Sequence, residues 1–326
     1  VSPRPTLLDR RLLLFTGKGG VGKTTCVAAL ALEAARRGRR PLIVELGHRA
    51  SMEGVFEVSE IGYAPREVGK GVHAMNLDFE SALEDYFLEH IPVQKVARTI
   101  MRNKTLQKFF HAAPSVSEVA ILNKLSALEA EREAGKPRWD PIFVDLDATG
   151  HAIMLLNLPA VMAGLIGDGP MRRLIDGFSS LLRDARKTVL SLVTLPRELP
   201  AQETVELYKK LSEQKVVALG HLFVNQVPER PLTPKEAGWL DRVGMRAAEL
   251  GMTTLVDDVA LARRAMRQHA NARAQINRLR RDIPLPILEL PLMTDAITLA
   301  GLATLGQQLA ERIETPDASE SSGVRA

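Results

Sequence analysis

Phe15-Thr16-Gly17-Lys18-Gly19-Gly20-Val21-Gly22-Lys23-Thr24-Thr25 is the stretch from which the rest of the chain is read. The apolar run Leu12-Leu13-Leu14-Phe15 leads into it and reads as a buried strand. Cys26 to Ala35 follow and read as a helix that ends at Gly38. This strand–loop–helix setting is what the pattern G-x-x-x-x-G-K-[ST] needs before it carries meaning. The glycines let consecutive backbone N–H groups turn inward, and the helix N-terminus adds partial positive charge. Gly17, Gly19, Gly20, Val21, Gly22 and Thr25 thereby form a cradle for phosphate. In that pattern Lys23 reaches the β- and γ-phosphates, and Thr24 offers its hydroxyl to Mg²⁺. The pattern points to a bound nucleotide.

Other strands are expected from short apolar runs that alternate with helical segments: Leu42–Glu45, Val72–Leu77, Ile142–Asp145, Val189–Thr194, Val216–Asn225 and Ile287–Leu290. The rhythm predicts an α/β fold of the P-loop NTPase type. It is a mostly parallel sheet of about seven or eight strands, covered by helices. Two long intervals, residues 81–135 and 152–187, break the rhythm and read as helical insertions. A single domain is expected over residues 1–313. Residues 314–326 are polar, have little to bury and read as a disordered tail.

Composition bounds the function classes. At 326 residues the chain can bury a large core, and 45% hydrophobic with 25% charged residues is ordinary for a soluble protein. A formal charge of +4 is too small to imply nucleic acid or membrane by itself. The single cysteine, Cys26, excludes an intrachain disulfide framework. Neither a signal peptide nor a membrane-spanning run is visible, so a cytoplasmic location is expected.

Right-handed crossovers put the phosphate loop at the carboxyl edge of the sheet, so the residues that close other strands are candidates for the site. Ile142-Phe143-Val144 ends in Asp145, and an acid there suits Mg²⁺, directly or through water. Leu42-Ile43-Val44 ends in Glu45, beside the loop. Val224 is followed by Asn225, whose amide can donate to and accept from an adenine edge. The cradle does not need the second lysine, Lys18, because Lys23 already fills its role.

Gly17-Lys18-Gly19-Gly20-Val21-Gly22-Lys23-Thr24-Thr25 resembles the deviant Walker A loop, whose members dimerise face to face around nucleotide. The resemblance implies that Lys18 crosses to the partner's phosphates, a positive charge delivered in trans where negative charge develops. Over roughly residues 8 to 311 the chain is similar to the arsenical-pump-driving ATPases and the related ATPases that target tail-anchored proteins. Asp145 to His151 is similar to that family's second switch, D-T-A-P-T-G-H, at Asp145, Thr149, Gly150 and His151. Val193-Thr194-Leu195-Pro196 with Glu203-Thr204, Pro114-Ser115-Val116-Ser117-Glu118 and Val224-Asn225-Gln226 resemble further family segments. The resemblance implies ATP and Mg²⁺ as cofactors, Thr24 and Asp145 at the metal, Asn225 at adenine, and Lys18, Lys23 and Glu45 in catalysis. It also implies a homodimer, or a dimer with a paralogue, built around nucleotide.

The departures carry as much weight. The family's first switch reads D-P-A-H-S, and Glu45 to Arg49 matches it only at His48. Glu45 keeps the carboxylate but lengthens its stem, and a misplacement of about 1 Å can cost on the order of 100-fold in rate. Slow hydrolysis with Glu45 orienting water, a role for Asp147 in its place, and an ATP-locked scaffold without turnover all stay open. One cysteine cannot supply the thiolate cluster that arsenite needs, so an arsenite-pump subunit is excluded. The C-x-x-C that staples targeting-ATPase dimers through Zn²⁺ is absent as well.

Ile153-Met154-Leu155-Leu156, Leu158, Val161-Met162, Leu165-Ile166, Leu174-Ile175, Phe178 and Leu181-Leu182 give apolar stripes at helical spacing. They read first as helices covering the sheet, and second as a groove for a protein client such as a hydrophobic segment. Arg263, Arg264, Arg267, Arg273, Arg278, Arg280 and Arg281 surround a helix without forming one stripe, which fits a solvated helix better than a DNA-partitioning ATPase. The expected function is a Mg²⁺-dependent ATPase acting as a dimeric switch that opens and closes a helical partner-binding surface.

Overall fold

The computed structural model describes residues 6–47, 51–90, 116–146, 149–164, 167–293 and 298–314. β1 (Leu12–Thr16) is buried at every position, as a continuous apolar run with helices on both faces should be. It pairs in parallel with β7 (Ile142–Asp145) on one side and β8 (Thr188–Thr194) on the other. The remaining strands are β2 (Leu42–Leu46), β3 (Arg66–Gly69), β4 (Val72–Leu77), β9 (Leu219–Val227) and β10 (Ile287–Pro291). Together they form one eight-stranded sheet in the order β10-β9-β8-β1-β7-β2-β4-β3. Its pairings are parallel except for β3, which lies antiparallel on β4 at the edge.

The predicted strands are present with small shifts. β9 begins at Leu219 instead of Val216, because Lys215 turns the chain at φ 52° and Val216-Val217 are buried ahead of the ladder. β3 escaped sequence reading because Arg-Glu-Val-Gly has neither an apolar run nor a clean alternation. A two-stranded hairpin of β5 (Arg132–Glu133) and β6 (Lys136–Pro137) was likewise too short and polar to register.

Two apolar layers flank the sheet. One holds α1 (Lys23–Arg36), α2 (Ser51–Phe56) and the last described helix, α10 (Leu299–Glu314). The other holds α3 (Phe79–His90), α4 (Val116–Ala130), α5 (Thr149–Ala163), α6 (Pro170–Arg183), α7 (Glu198–Gln214) and part of α9 (Thr253–Asp282). α8 (Pro234–Glu249) joins α9 as a largely exposed helical pair. It starts in a capping box, with Thr233 and Glu236 each satisfying the other's backbone N–H and Pro234 in the first turn. Both helical intervals read from sequence therefore contain helices. Residues 91–115, with Pro114 and Ser115 of the family-like segment, lie outside the described residues, as do Leu165-Ile166 and residues 315–326 of the polar tail. No helix among the described residues is long and apolar enough to cross a membrane.

α1, the helix that follows the phosphate loop, is anchored from behind by α10. A side chain at Gly306 would bring its Cβ within 2.1 Å of the Ala29 carbonyl oxygen, so only glycine lets the two backbones meet. Buried Glu33 of α1 accepts from Arg36 Nε at 2.6 Å and from Arg37 Nε at 2.7 Å, and Arg37 reaches on to Glu314. The Arg36 guanidinium, with Arg37 beside it, holds the Glu33 carboxyl below its usual range despite burial.

Gly306→Ala should lower stability by about 1–3 kcal/mol, through overpacking against a backbone atom that cannot yield. Gly238→Ala is the control: it sits exposed on α8 with nothing within 4 Å, and should be neutral or stabilising by up to about 1 kcal/mol. Urea melts of the two variants would separate close helix packing from the general effect of replacing glycine in a helix.

Candidate functional site

The parallel register builds the site before any loop is considered. Asp145 pairs with Phe15 on one side and with Glu45 on the other, so β2, β7 and β1 deliver two carboxylates and the phosphate loop to one level of the sheet. Glu45 and Asp145 are 3% and 6% exposed, a degree of burial that carboxylates rarely tolerate without partners. Thr24 supplies one partner: its Oγ1 donates to Asp145 Oδ2 at 2.7 Å. Glu45 receives backbone N–H bonds from Ser51 at 3.0 Å and Met52 at 3.4 Å, the first residues of α2. Burial nonetheless pushes the Glu45 carboxyl above its ordinary range, and the nearby Asp145 charge adds to it while the Ser51 hydroxyl and the α2 amides oppose it.

Two glycines of the loop have no substitute. A Cβ at Gly17 would lie 2.1 Å from the Val193 carbonyl oxygen of β8. Gly22 sits at φ 93° directly before α1, and a Cβ there would lie 2.1 Å from Asn225 Nδ2. Asn225 is itself a brace: Nδ2 donates to the Val21 carbonyl at 3.0 Å, and Oδ1 accepts the Gln226 N–H at 2.9 Å. Lys23 Nζ folds back over the loop to the carbonyls of Gly17 at 3.2 Å and Lys18 at 3.4 Å.

The cavity so formed measures about 340 Å³ and is lined by Gly20, Gly22, Lys23, Thr24, Thr25, Glu45, Ser51, Asp145 and Gln226, among others. Of the residues expected at the site, Lys23, Thr24, Glu45 and Asp145 meet here. Asn225 lies beneath the loop. Lys18 stands on its outer side, 42% exposed, with Nζ 2.6 Å from Glu203 Oε1 of α7. His48 and Asp147 lie outside the described residues, and His151 falls in the first turn of α5. Cys26 packs as a small apolar group; burial, aided by the Asp145 charge, pushes its thiol up to about 12.

Four participants were given no individual role from the sequence, although Gln226 and Glu203 lie in segments that resemble the family. Ser51 and Met52 act through backbone N–H groups, which no residue type announces. Gln226 enters the cavity because its backbone takes φ 56°, unusual for a non-glycine residue and invisible in one-dimensional pattern. Glu203 could have been found only by knowing that α7 passes beside the loop.

The arrangement fits nucleotide and Mg²⁺. The cradle tolerates no Cβ at its two closest approaches, and the Thr24 hydroxyl and Asp145 carboxylate form a pair of hard oxygen donors beside it. Among the described residues no group of three or more His, Cys, Asp or Glu side chains could hold a metal alone. That is expected of Mg²⁺, which is bound through one or two protein oxygens together with substrate phosphates. Fold and loop together define a P-loop NTPase.

Comparison with known proteins agrees. Residues 10–175 match the profile of the anion-transporting ATPase family. ATPase BagA of Mycobacterium tuberculosis is 31% identical over 318 residues, covering 93% of each chain. An arsenical pump-driving ATPase of Acidiphilium multivorum is 28% identical over 223 residues, spanning 62% of this chain and 37% of the relative. Protein Rv2184c of Mycobacterium tuberculosis is 27% identical over 309 residues, 80% of this chain and 72% of its own. The chain belongs to the anion-transporting ATPase family, the family of the arsenical pump-driving ATPases.

Gly22→Ala should weaken nucleotide binding about tenfold or more, since it meets both positive φ and the Asn225 amide. Asn225→Ala removes the clash but leaves the φ strain, so the double variant should bind better than the sum of the two losses predicts. Titration of a fluorescent ADP analogue against the four proteins of this cycle measures the coupling; strict additivity would remove Asn225 from its bracing role.

Proposed function

We propose that the chain is a Mg²⁺-dependent ATPase working as a nucleotide-driven dimeric switch, as a homodimer or paired with a paralogue, that opens and closes a helical surface to a protein partner. The observation that carries this reading is the Thr24–Asp145 contact at 2.7 Å in the same cavity as Lys23 and Glu45. Thr24 and Asp145 would hold Mg²⁺, which when bound neutralises phosphate charge. Lys23 would stabilise the transferring phosphoryl group, and Glu45 would orient the attacking water. Lys18 suits a role in trans: it is on the outer side of the loop, and its ion pair with Glu203 is between two groups each more than a third exposed, which makes it easily exchanged.

Coupling to a partner surface is supported by two features. The Glu45 carboxylate holds the N-terminus of α2, so a change at Glu45 is felt by that helix. An apolar cavity of about 210 Å³ adjoins the nucleotide cavity through Leu46 and Leu146, and its far wall is Ile121 of α4 and Ala152 and Leu155 of α5. Met154 and Val161 of α5 are 43% and 57% exposed, which suits a surface offered to a hydrophobic segment. Arsenite does not fit, because the one thiol is buried and held protonated. The arginines of α9 are partly neutralised: Arg263 pairs with Asp241, Arg278 with Asp282, and Arg273 and Arg280 with Glu289. That pairing disfavours nucleic acid as the partner.

A second reading has its own observation. Both Glu45 oxygens accept N–H bonds from α2, the arrangement of a carboxylate serving as a latch. If that state persists with ATP bound, the protein is an ATP-locked scaffold without useful turnover.

Steady-state hydrolysis with Mg²⁺, run beside light-scattering mass, separates the two. A switch gives an ATP-dependent dimer whose turnover falls about 100-fold or more in Glu45→Gln while ATP binding persists. Equal rates in both proteins would take Glu45 out of the chemistry, and tight binding without turnover in either would establish the scaffold. With Glu45 as base, activity should fall as pH drops through its raised pKa. The acid limb of kcat/KM should then lie above the value of about 4.3 typical of a free glutamate. A mixture of Lys18→Ala and Lys23→Ala proteins should recover part of the ATPase activity that each lacks alone. No recovery would refute the role of Lys18 in trans.

A further inference from the structure

Glu45 has a freedom that an aspartate in its place would lack. Its stem is one carbon longer, so the carboxylate turns about one more bond before it can aim at a single point. A group that orients a reacting water has to be held within about 0.5 Å of its working position. The chain supplies that restraint by doubling back. Glu45 lies in β2, and six residues later Ser51 opens α2 beside the same carboxylate.

Two of the restraining bonds are main-chain: Ser51 N–H donates to Oε1 at 3.0 Å and Met52 N–H to Oε2 at 3.4 Å. These would persist with other side chains at 51 and 52. A further bond comes from the Ser51 hydroxyl, which also favours the charged carboxylate. Ser51 thus reaches Glu45 with main chain and side chain together. The two residues divide the work of the helix start: Met52 is fully buried and anchors α2 in the core, whereas Ser51 is exposed and lines the cavity with Lys23, Thr24 and Asp145. The two oxygens of a carboxylate accept about four hydrogen bonds, so with these made an acceptor position is left for water.

We propose that Ser51 is a positioning residue for hydrolysis, its hydroxyl holding the Glu45 carboxylate at the angle from which it orients the attacking water. The inference rests on the reading above that Glu45 acts on water. Ser51 does no chemistry of its own; it acts through Glu45.

Ser51→Ala removes the hydroxyl at an exposed position and keeps the N–H, so the fold is not at stake. With Mg²⁺ and ATP it should lower kcat about tenfold, the order set by one hydrogen bond to a charged group, and leave the affinity for fluorescent ADP unchanged. Ser51→Thr, which keeps a hydroxyl on the same carbon, should recover most of the loss. In a Glu45→Gln background Ser51→Ala should have no further effect, because the carboxylate that it aims is already gone. A serine that merely caps α2 would behave differently, since its loss would add in full to the Glu45→Gln defect. Full additivity, a loss of ADP affinity with kcat unchanged, or wild-type kcat in Ser51→Ala beside an impaired Glu45→Gln each overturn the inference and leave Glu45 in its role. Undiminished turnover in Glu45→Gln, or none in the unaltered protein, removes the reading of Glu45 and this inference with it.

Discussion

The hydrogen bond from Thr24 to Asp145 is the contact on which the rest of the site depends. It joins the first turn of α1 to the end of a strand more than a hundred residues later in the chain. It forms only because β1 and β7 are parallel neighbours with Phe15 level with Asp145. The same register sets Glu45 level with Asp145 from the other side. Two carboxylates share a small buried volume, and each is tolerated for a different reason. Asp145 is opposite a hydroxyl beside the phosphate loop, whereas Glu45 borrows backbone N–H groups from the start of α2. Burial, with a smaller contribution from the Asp145 charge, raises the Glu45 pKa, so the site is electrostatically suited to taking up positive charge.

Much of this arrangement could be read in the sequence because it depends on local chemistry. A buried strand of leucines, a glycine-rich turn and an alanine-rich helix follow from residue type alone, and Asp145 and Glu45 follow from the rule that ligands gather where parallel strands end. The rest depends on what the chain brings together from a distance. Nothing in Asn225 says that its Nδ2 is committed to the Val21 carbonyl of the loop; that requires the β9–β8–β1 adjacency. Glu203 beside Lys18 requires the path of α7, and the N–H groups of Ser51 and Met52 have no sequence signature.

The two faces of the sheet contribute unequally. On one, α1 is buried along most of its length and held by α10, which gives the phosphate loop a rigid support. On the other, several amphipathic helices cover the strands while α5 leaves Met154 and Val161 exposed. The phosphate loop thus rests on the more closely packed side, and the exposed apolar side chains of α5 lie on the other.

The junction of α1 and α10 also has a consequence for biosynthesis. The helix that closes the phosphate loop occupies residues 23–36, yet the backbone it packs against most closely belongs to residues 299–314. During translation the loop leaves the ribosome before any later strand of the sheet, and the helix that supports it follows only after the last strand, β10, has been made. The nascent chain thus cannot present a finished phosphate site until residues 299–314 have been made. Until then α1 exposes the apolar face meant for α10, which makes this segment a natural point of contact for chaperones.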